Sequence, residues 1–296
     1  MHNKLITILG PTTSGKSDLA IKLAKKFNGE ILSADSRQIY KEMDIGTNKL
    51  NKKQMSGISH YLIDIVMPNQ EFTLSQYKEK AVKIIKEIQK RGKTPFLVGG
   101  TGLYIQAVVD NLKIPKVKPD KKLRIKLEKL SNQELFNELK RIDPKSLGII
   151  DFNNKRRLIR ALEVCLKTKK PFSEQREKGE ILFNILQIGI KINKETVKKR
   201  IIKRTNQMIK NRLVEEVEEL IKKYPINLPA FSGIGYKEII RHLNNDIPFS
   251  QVKELINLHT QQYVSRQITW FKRDKRINWI ENQKQAEKLA KNFLLR

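Results

Sequence analysis

Gly10, Pro11, Thr12, Thr13, Ser14, Gly15, Lys16 and Ser17 fit G-x-x-x-x-G-K-[S/T] in full. No other stretch limits the fold so tightly. The preceding Lys4–Gly10 (KLITILG) is a short apolar, β-branched run that ends in Gly-Pro, so it reads as a buried strand. Leu19, Leu23 and Phe27 then fall at helical spacing across Ser17–Phe27. Strand, glycine loop and helix form the setting in which this motif cradles phosphate. Glycine lets the backbone close on the anion. Loop N–H groups and the helix N-terminus supply partial positive charge. Lys16 adds a full charge, and the Ser17 hydroxyl is a ligand for Mg²⁺. Residues 10–17 are therefore expected to bind a di- or triphosphate, with Ser17 on the metal.

Further strand candidates follow at Glu30–Ala34, His60–Val66 and Thr94–Val98, with helices between them. This alternation predicts an α/β protein: a P-loop NTPase-like parallel sheet with helices on both faces. Such sheets bind ligands beyond the carboxyl ends of their strands. The 10–17 loop, Asp35 and Thr101 all lie at such ends. The texture changes near Ile114-Pro115. Lys113–Lys129 holds eight basic and two acidic residues, and helical patterns without clear strands run to about Ser173. A strand at Ile185–Ile190 and one long helix over Thr196–Lys223 are expected next. The chain thus divides into a core, 1–114 and 174–296, and a mainly helical insertion, 115–173.

Lys and Arg number 60 against 31 Asp and Glu, a net charge of +29. That excess fits a polyanionic partner through counterion release, and equally a proteome rich in Lys. With 39% hydrophobic residues the chain can bury a core, which excludes a disordered protein. Its apolar runs are too short to span a bilayer. A single cysteine, Cys165, excludes a disulfide framework and a Cys-based zinc site. The early strand leaves no room for a leader peptide, so a cytoplasmic protein is expected.

A phosphate loop does not fix the reaction. A nucleotide hydrolase also needs an Asp that ends an apolar strand and orders Mg²⁺ and water. Here the best later strand ends in Gly99-Gly100-Thr101, and Asp64 lies in a poor match. Asp35 is the better-placed carboxylate. It suits a general base toward an acceptor, so a small-molecule kinase stays open.

Eight stretches match one family together and in order: GPTTSGKS (10–17), ADSRQIY (34–40), DIGTNK (44–49), LIDI (62–65), LVGGTGLY (97–104), NKRRLIRALEV (154–164), GIGYKE (233–238) and SRQITWFK (265–272). The set strongly resembles the bacterial tRNA dimethylallyltransferase (isopentenyltransferase) family. The resemblance implies transfer of a dimethylallyl group from dimethylallyl diphosphate to the exocyclic amine of the adenosine 3′ of the anticodon. It also implies Mg²⁺ and an insertion that grips the anticodon stem-loop. On this reading the loop holds an allylic diphosphate, and the bond broken is carbon–oxygen. Lys16 and an Arg of the post-insertion helix, Arg204 in preference to Arg200, stabilise the leaving group. Asp35 resembles the general base, and Thr101 the residue that holds the amine.

The resemblance further places Ser36, Arg37 and Gln38 against the flipped adenine and its neighbours. Arg156, Arg157 and Arg160 become RNA contacts, as do Arg266, Gln267 and Trp270. Leu158, Ala161, Leu162, Cys165 and Leu166 are expected on the buried face of their helix, with Arg156, Arg160, Glu163 and Lys167 on the charged one. Tyr263, Trp270 and Phe271 interleave with Arg266, Lys272 and Arg273, the composition of a base-stacking, phosphate-neutralising surface. Departures include Tyr61, where a second His is frequent, and Arg212, where Gly is usual. His60 and His259 lack metal-ligand spacing and read as structural or RNA-facing. Competing readings are prenyl transfer to free adenine nucleotides, the kinase, and a non-catalytic RNA-binding protein. Nothing requires more than a monomer.

Overall fold

The computed structural model describes residues 3–115, 117–148, 150–175 and 177–295. Its centre is a six-stranded, wholly parallel sheet of β1 (Lys4–Leu9), β2 (Gly29–Ala34), β3 (His60–Tyr61), β4 (Thr94–Gly99), β5 (Asn184–Ile190) and β6 (Ile277–Ile280). The strand order is 3-2-4-1-5-6. The helices of this unit are α1 (Lys16–Lys26), α2 (Lys52–Met55), α3 (Leu74–Lys90) and α4 (Gly102–Val109) before the insertion. Between them and the later helices come α5 (Lys121–Glu128), α6 (Asn132–Ile142) and α7 (Lys155–Thr168). Then follow α8 (Lys194–Lys210), α9 (Leu213–Lys223), α10 (Tyr236–Leu243), α11 (Phe249–Lys272) and α12 (Gln283–Leu295).

The two-residue period of β1 sorts its side chains between two cores. Leu5 and Leu9 join Leu32 and Leu97 under α3, α4 and the helices after β5. Ile6 and Ile8 join Ile31, Phe96, Val98 and Ile188 under α1 and α12. Both faces of the sheet are therefore covered, as an all-parallel sheet requires.

The chain forms two compact units, 1–109 with 182–296, and 110–181. The second is helical. Leu127, Leu135, Leu139, Leu158, Ile159, Leu162 and Cys165 form its own core. Ser131 and Glu134 close a capping box on α6. In α7 the expected faces need correction. Leu166 is 47% exposed, whereas Glu163 is fully buried. Glu163 accepts from the Asp120 N–H at 2.8 Å, from Arg124 through Nε and Nη2 at 2.8 Å each, and from Arg160 at 2.6 Å. Burial opposes its charge, but these donors outweigh it and hold its pKa at about 2.

Two elements differ from the sequence reading. The strand expected over His60–Val66 stops at Tyr61, because Leu62 and Asp64 take positive φ. Beyond it, Asp64, Ile65 and Val66 donate to the carbonyls of Gln38 and Ile39, and Tyr40 forms an isolated bridge with Val66. The long helix breaks between α8 and α9 at Arg212, whose φ is 70°. A glycine would adopt this left-handed turn freely; Arg212 adopts it against its Cβ.

Candidate active site

The phosphate loop leaves β1 and opens α1. Thr13 (φ 66°) and Gly15 (φ 90°) both take left-handed backbone, which curls the loop. Thr13 Oγ1 and Ser14 Oγ, adjacent in the loop, are both buried without a hydrogen-bond partner, an unusual cost. Such orphaned hydroxyls fit a loop that receives an external ligand. Lys16 donates to the Pro11 carbonyl at 3.4 Å. Burial lowers its pKa to about 8; the Asp35 charge pulls it up and Arg204 pushes it down.

Two arginines of α8 reach the loop. Arg204 Nη1 donates to Thr12 Oγ1 at 2.6 Å, and Arg200 Nη1 to the carbonyls of Thr13 at 3.1 Å and Ser14 at 3.3 Å. Burial, opposed by Asp35, lowers the Arg204 pKa. Lys16, Arg204 and Asp35 therefore sense one another's charge.

Asp35 caps its own turn by accepting the Arg37 N–H at 2.8 Å through Oδ1. Beside it, Thr101 Oγ1 accepts the Ser36 N–H at 3.0 Å, and the Thr101 N–H donates to the Ala34 carbonyl at 3.1 Å. Gly99 ends β4 opposite Ala34 at the end of β2, so the pairing register delivers Thr101 to Asp35. A half-buried Tyr263 hydrogen-bonds Thr101; burial first, then the Asp35 charge, raises its pKa to about 12. Tyr104 stacks on Tyr77 at 3.8 Å, and both phenols are raised by burial and by the Asp35 charge. Tyr77 lies in no motif, whereas Tyr104 closes the matched stretch 97–104.

Several expected RNA contacts are committed elsewhere. Arg37 donates to the carbonyls of Pro229 (2.7 Å) and Ala230 (3.3 Å) and to Ser232 Oγ (3.0 Å). Gln38 accepts from Ser33 Oγ and donates to the carbonyls of Thr47 and Asn48. Gln267, expected as an RNA contact, is 5% exposed. The indole of half-buried Trp270 fills the space over Gly102. Arg160 is held by Glu163 and by the Val117 carbonyl. Arg156, Arg157 and Arg266 are exposed. Arg266 lies 5.9 Å over the Tyr263 ring. The matched stretch 44–49 is structural: Glu216 accepts the N–H groups of Asp44, Ile45 and Gly46 and the Tyr236 hydroxyl. His60 and His259 have structural partners too. His60 bonds the Ile58 carbonyl, and His259 pairs with buried Glu238.

Fold and site together define a P-loop α/β transferase-like core that carries a helical insertion, with Asp35 and Thr101 at the strand ends beside its phosphate loop. Residues 38–274 match the family model described as IPP transferase, and the chain belongs to that family. A tRNA dimethylallyltransferase of Acetivibrio thermocellus is 43% identical over 99% of this chain and 96% of its own length. The full-length tRNA isopentenylpyrophosphate transferase of Bacillus halodurans superposes with a TM-score of 0.74 at 33% identity, covering 99% of this chain and 96% of that one. A eukaryotic dimethylallyltransferase acting on tRNA gives a TM-score of 0.82 at 28% identity, covering 99% and 78%.

Proposed function

We propose that this protein transfers the dimethylallyl group of dimethylallyl diphosphate to the exocyclic amine of adenosine 37, next to the tRNA anticodon, and releases diphosphate. The observation that carries this is the convergence of Asp35 and Thr101 with Lys16 and Arg204 at one sheet edge. Family membership sets the kinase reading aside.

The loop from Gly10 to Ser17 holds the diphosphate. Its N–H groups, Lys16, Arg204 and Arg200 take up charge as the carbon–oxygen bond breaks. The adenine amine, held at Thr101, attacks the freed allylic carbon, and a carbon–nitrogen bond forms. Asp35 takes the proton that nitrogen loses. Holding both partners beside adjacent strands makes the attack effectively intramolecular. Among the described residues no cluster of three His, Cys, Asp or Glu could hold a metal. Ser17 Oγ is the protein atom that would hold Mg²⁺. When bound, it neutralises charge on the diphosphate.

The target base must leave its stack, which a partly unpaired anticodon loop makes inexpensive. Arg156, Arg157 and Arg266 are the proposed phosphate contacts, and residues 35–38 form the shelf beside the base. The working species is a single cytoplasmic chain. No described helix is long and apolar enough to cross a membrane.

The test is incubation with labelled dimethylallyl diphosphate, Mg²⁺ and unmodified tRNA, then digestion and detection of prenylated adenosine. Asp35→Ala should lower transfer by about 10²–10⁴-fold and leave tRNA binding intact. Equal loss of tRNA affinity would remove Asp35 from the base role.

A further inference from the structure

The ladder between β1 and β4 ends at the Leu9–Gly99 pair. The loops that carry the chemistry begin just beyond it, where strand pairing no longer fixes their separation. One side chain spans the gap. Gln267, from α11, accepts the Thr12 N–H through Oε1 at 2.9 Å. Its Nε2 donates to the Gly100 carbonyl at 2.8 Å. Gln267 is 5% exposed; its bond to Gly100 is buried and its bond from Thr12 partly so.

The two loops are reciprocally built for it. A Cβ on Gly100 would stand 2.3 Å from Gln267 Nε2, so only glycine there admits the amide. Thr12 on one side carries the Arg204 contact. Thr101 follows Gly100 on the other side and holds the Ser36 N–H. An amide, with one donor and one acceptor at a fixed spacing, satisfies an N–H and a carbonyl together.

We propose that Gln267 is a positioning residue: it acts as an extra rung that sets the distance between the diphosphate loop and the Thr101 turn. It touches neither substrate and acts through Thr12 and Gly100. The inference rests on the proposed reaction, because only a two-substrate transfer makes that distance matter.

The test uses the full chain, with pyrophosphate and unmodified tRNA as binding probes. Gln267→Met keeps the volume and removes both bonds. Gly100→Ala displaces the amide while keeping glutamine at 267. Each should lower kcat by about 10- to 100-fold, the effect of a misplacement near 1 Å, with Kd for either probe changed less than about threefold. A merely structural role would lower Tm and the active fraction without this split between kcat and binding. Gly100→Ala, Gln267→Ala and their double variant complete a cycle. The double should lose no more than the worse single, because both break the same rung.

Three results would overturn the inference: kcat of Gln267→Met within about threefold of wild type, tRNA Kd raised with kcat unchanged, or single losses that multiply in the double. A wild type that binds both probes and transfers nothing overturns the proposed reaction, and the inference with it. A wild type that transfers while Gln267→Met equals it overturns the inference alone.

Discussion

Lys16 meets two demands that pull against each other. It must be charged to hold diphosphate, yet burial disfavours the charge and brings its pKa to about 8. The protonated form is the one that binds the anion. Diphosphate affinity should therefore hold up to about pH 8 and then weaken, by at most about tenfold per pH unit. Titration calorimetry with pyrophosphate across that range measures it, and Lys16→Arg, whose charge persists, should flatten the profile. A Lys16 profile as flat as that of Arg would show that the ammonium is not what the anion senses. At this scale the sequence displayed the positions of these residues and hid their burial. Asp35, Thr101 and the phosphate loop were legible because a motif at a strand end states its own location. Gln267, Gln38 and Arg37 were not. A polar side chain that bridges two backbone loops leaves no periodicity, and it reads like one that faces solvent.

The same division holds between elements. Strands with continuous apolar runs, such as β1 and β4, were evident because both faces of a parallel sheet are buried. The failures came where one residue overrides a pattern. Leu62 and Asp64 end a strand whose composition would continue it, and Arg212 bends a helix whose periodicity runs on. Glu163 is the sharpest case. Its spacing puts it with the charged face of α7, yet it is buried as the hub that ties α5 to α7. Its carboxyl is held well below its ordinary value, so it contributes stability above about pH 4.5 that is lost as pH falls toward about 2. Glu163→Gln should destabilise residues 110–181 by about 2 kcal/mol, less than a wholly buried pair because both arginines are about one-third exposed. Hydrogen exchange resolved by segment would show faster opening there and unchanged protection in β1 and β4. Uniform loss across the chain would mean that the two units do not open separately.

At the scale of the molecule, the net charge of +29 is uneven. Lys155–Lys170 holds seven basic residues and one acidic, and Arg266–Arg276 five and one. Internal pairing divides these charges further. Arg160 is spent on Glu163, and Arg276 on Asp274. Arg156, Arg157 and Arg266 are exposed. Affinity for a polyanion should follow exposed charge, since only charges that reach phosphate release counterions. Arg156→Ala and Arg266→Ala should each reduce the salt slope of tRNA binding by about one unit. Arg160→Ala should leave that slope nearly unchanged and lower the stability of residues 110–181 instead. Binding isotherms at several salt concentrations, read beside thermal melts, separate the two effects. If Arg160→Ala lowers the slope as much as Arg156→Ala does, its pairing with Glu163 gives way to RNA, and the insertion rearranges on binding. If none of the three moves the slope, the basic excess reflects the chain's overall composition, and the RNA-binding surface lies on other residues.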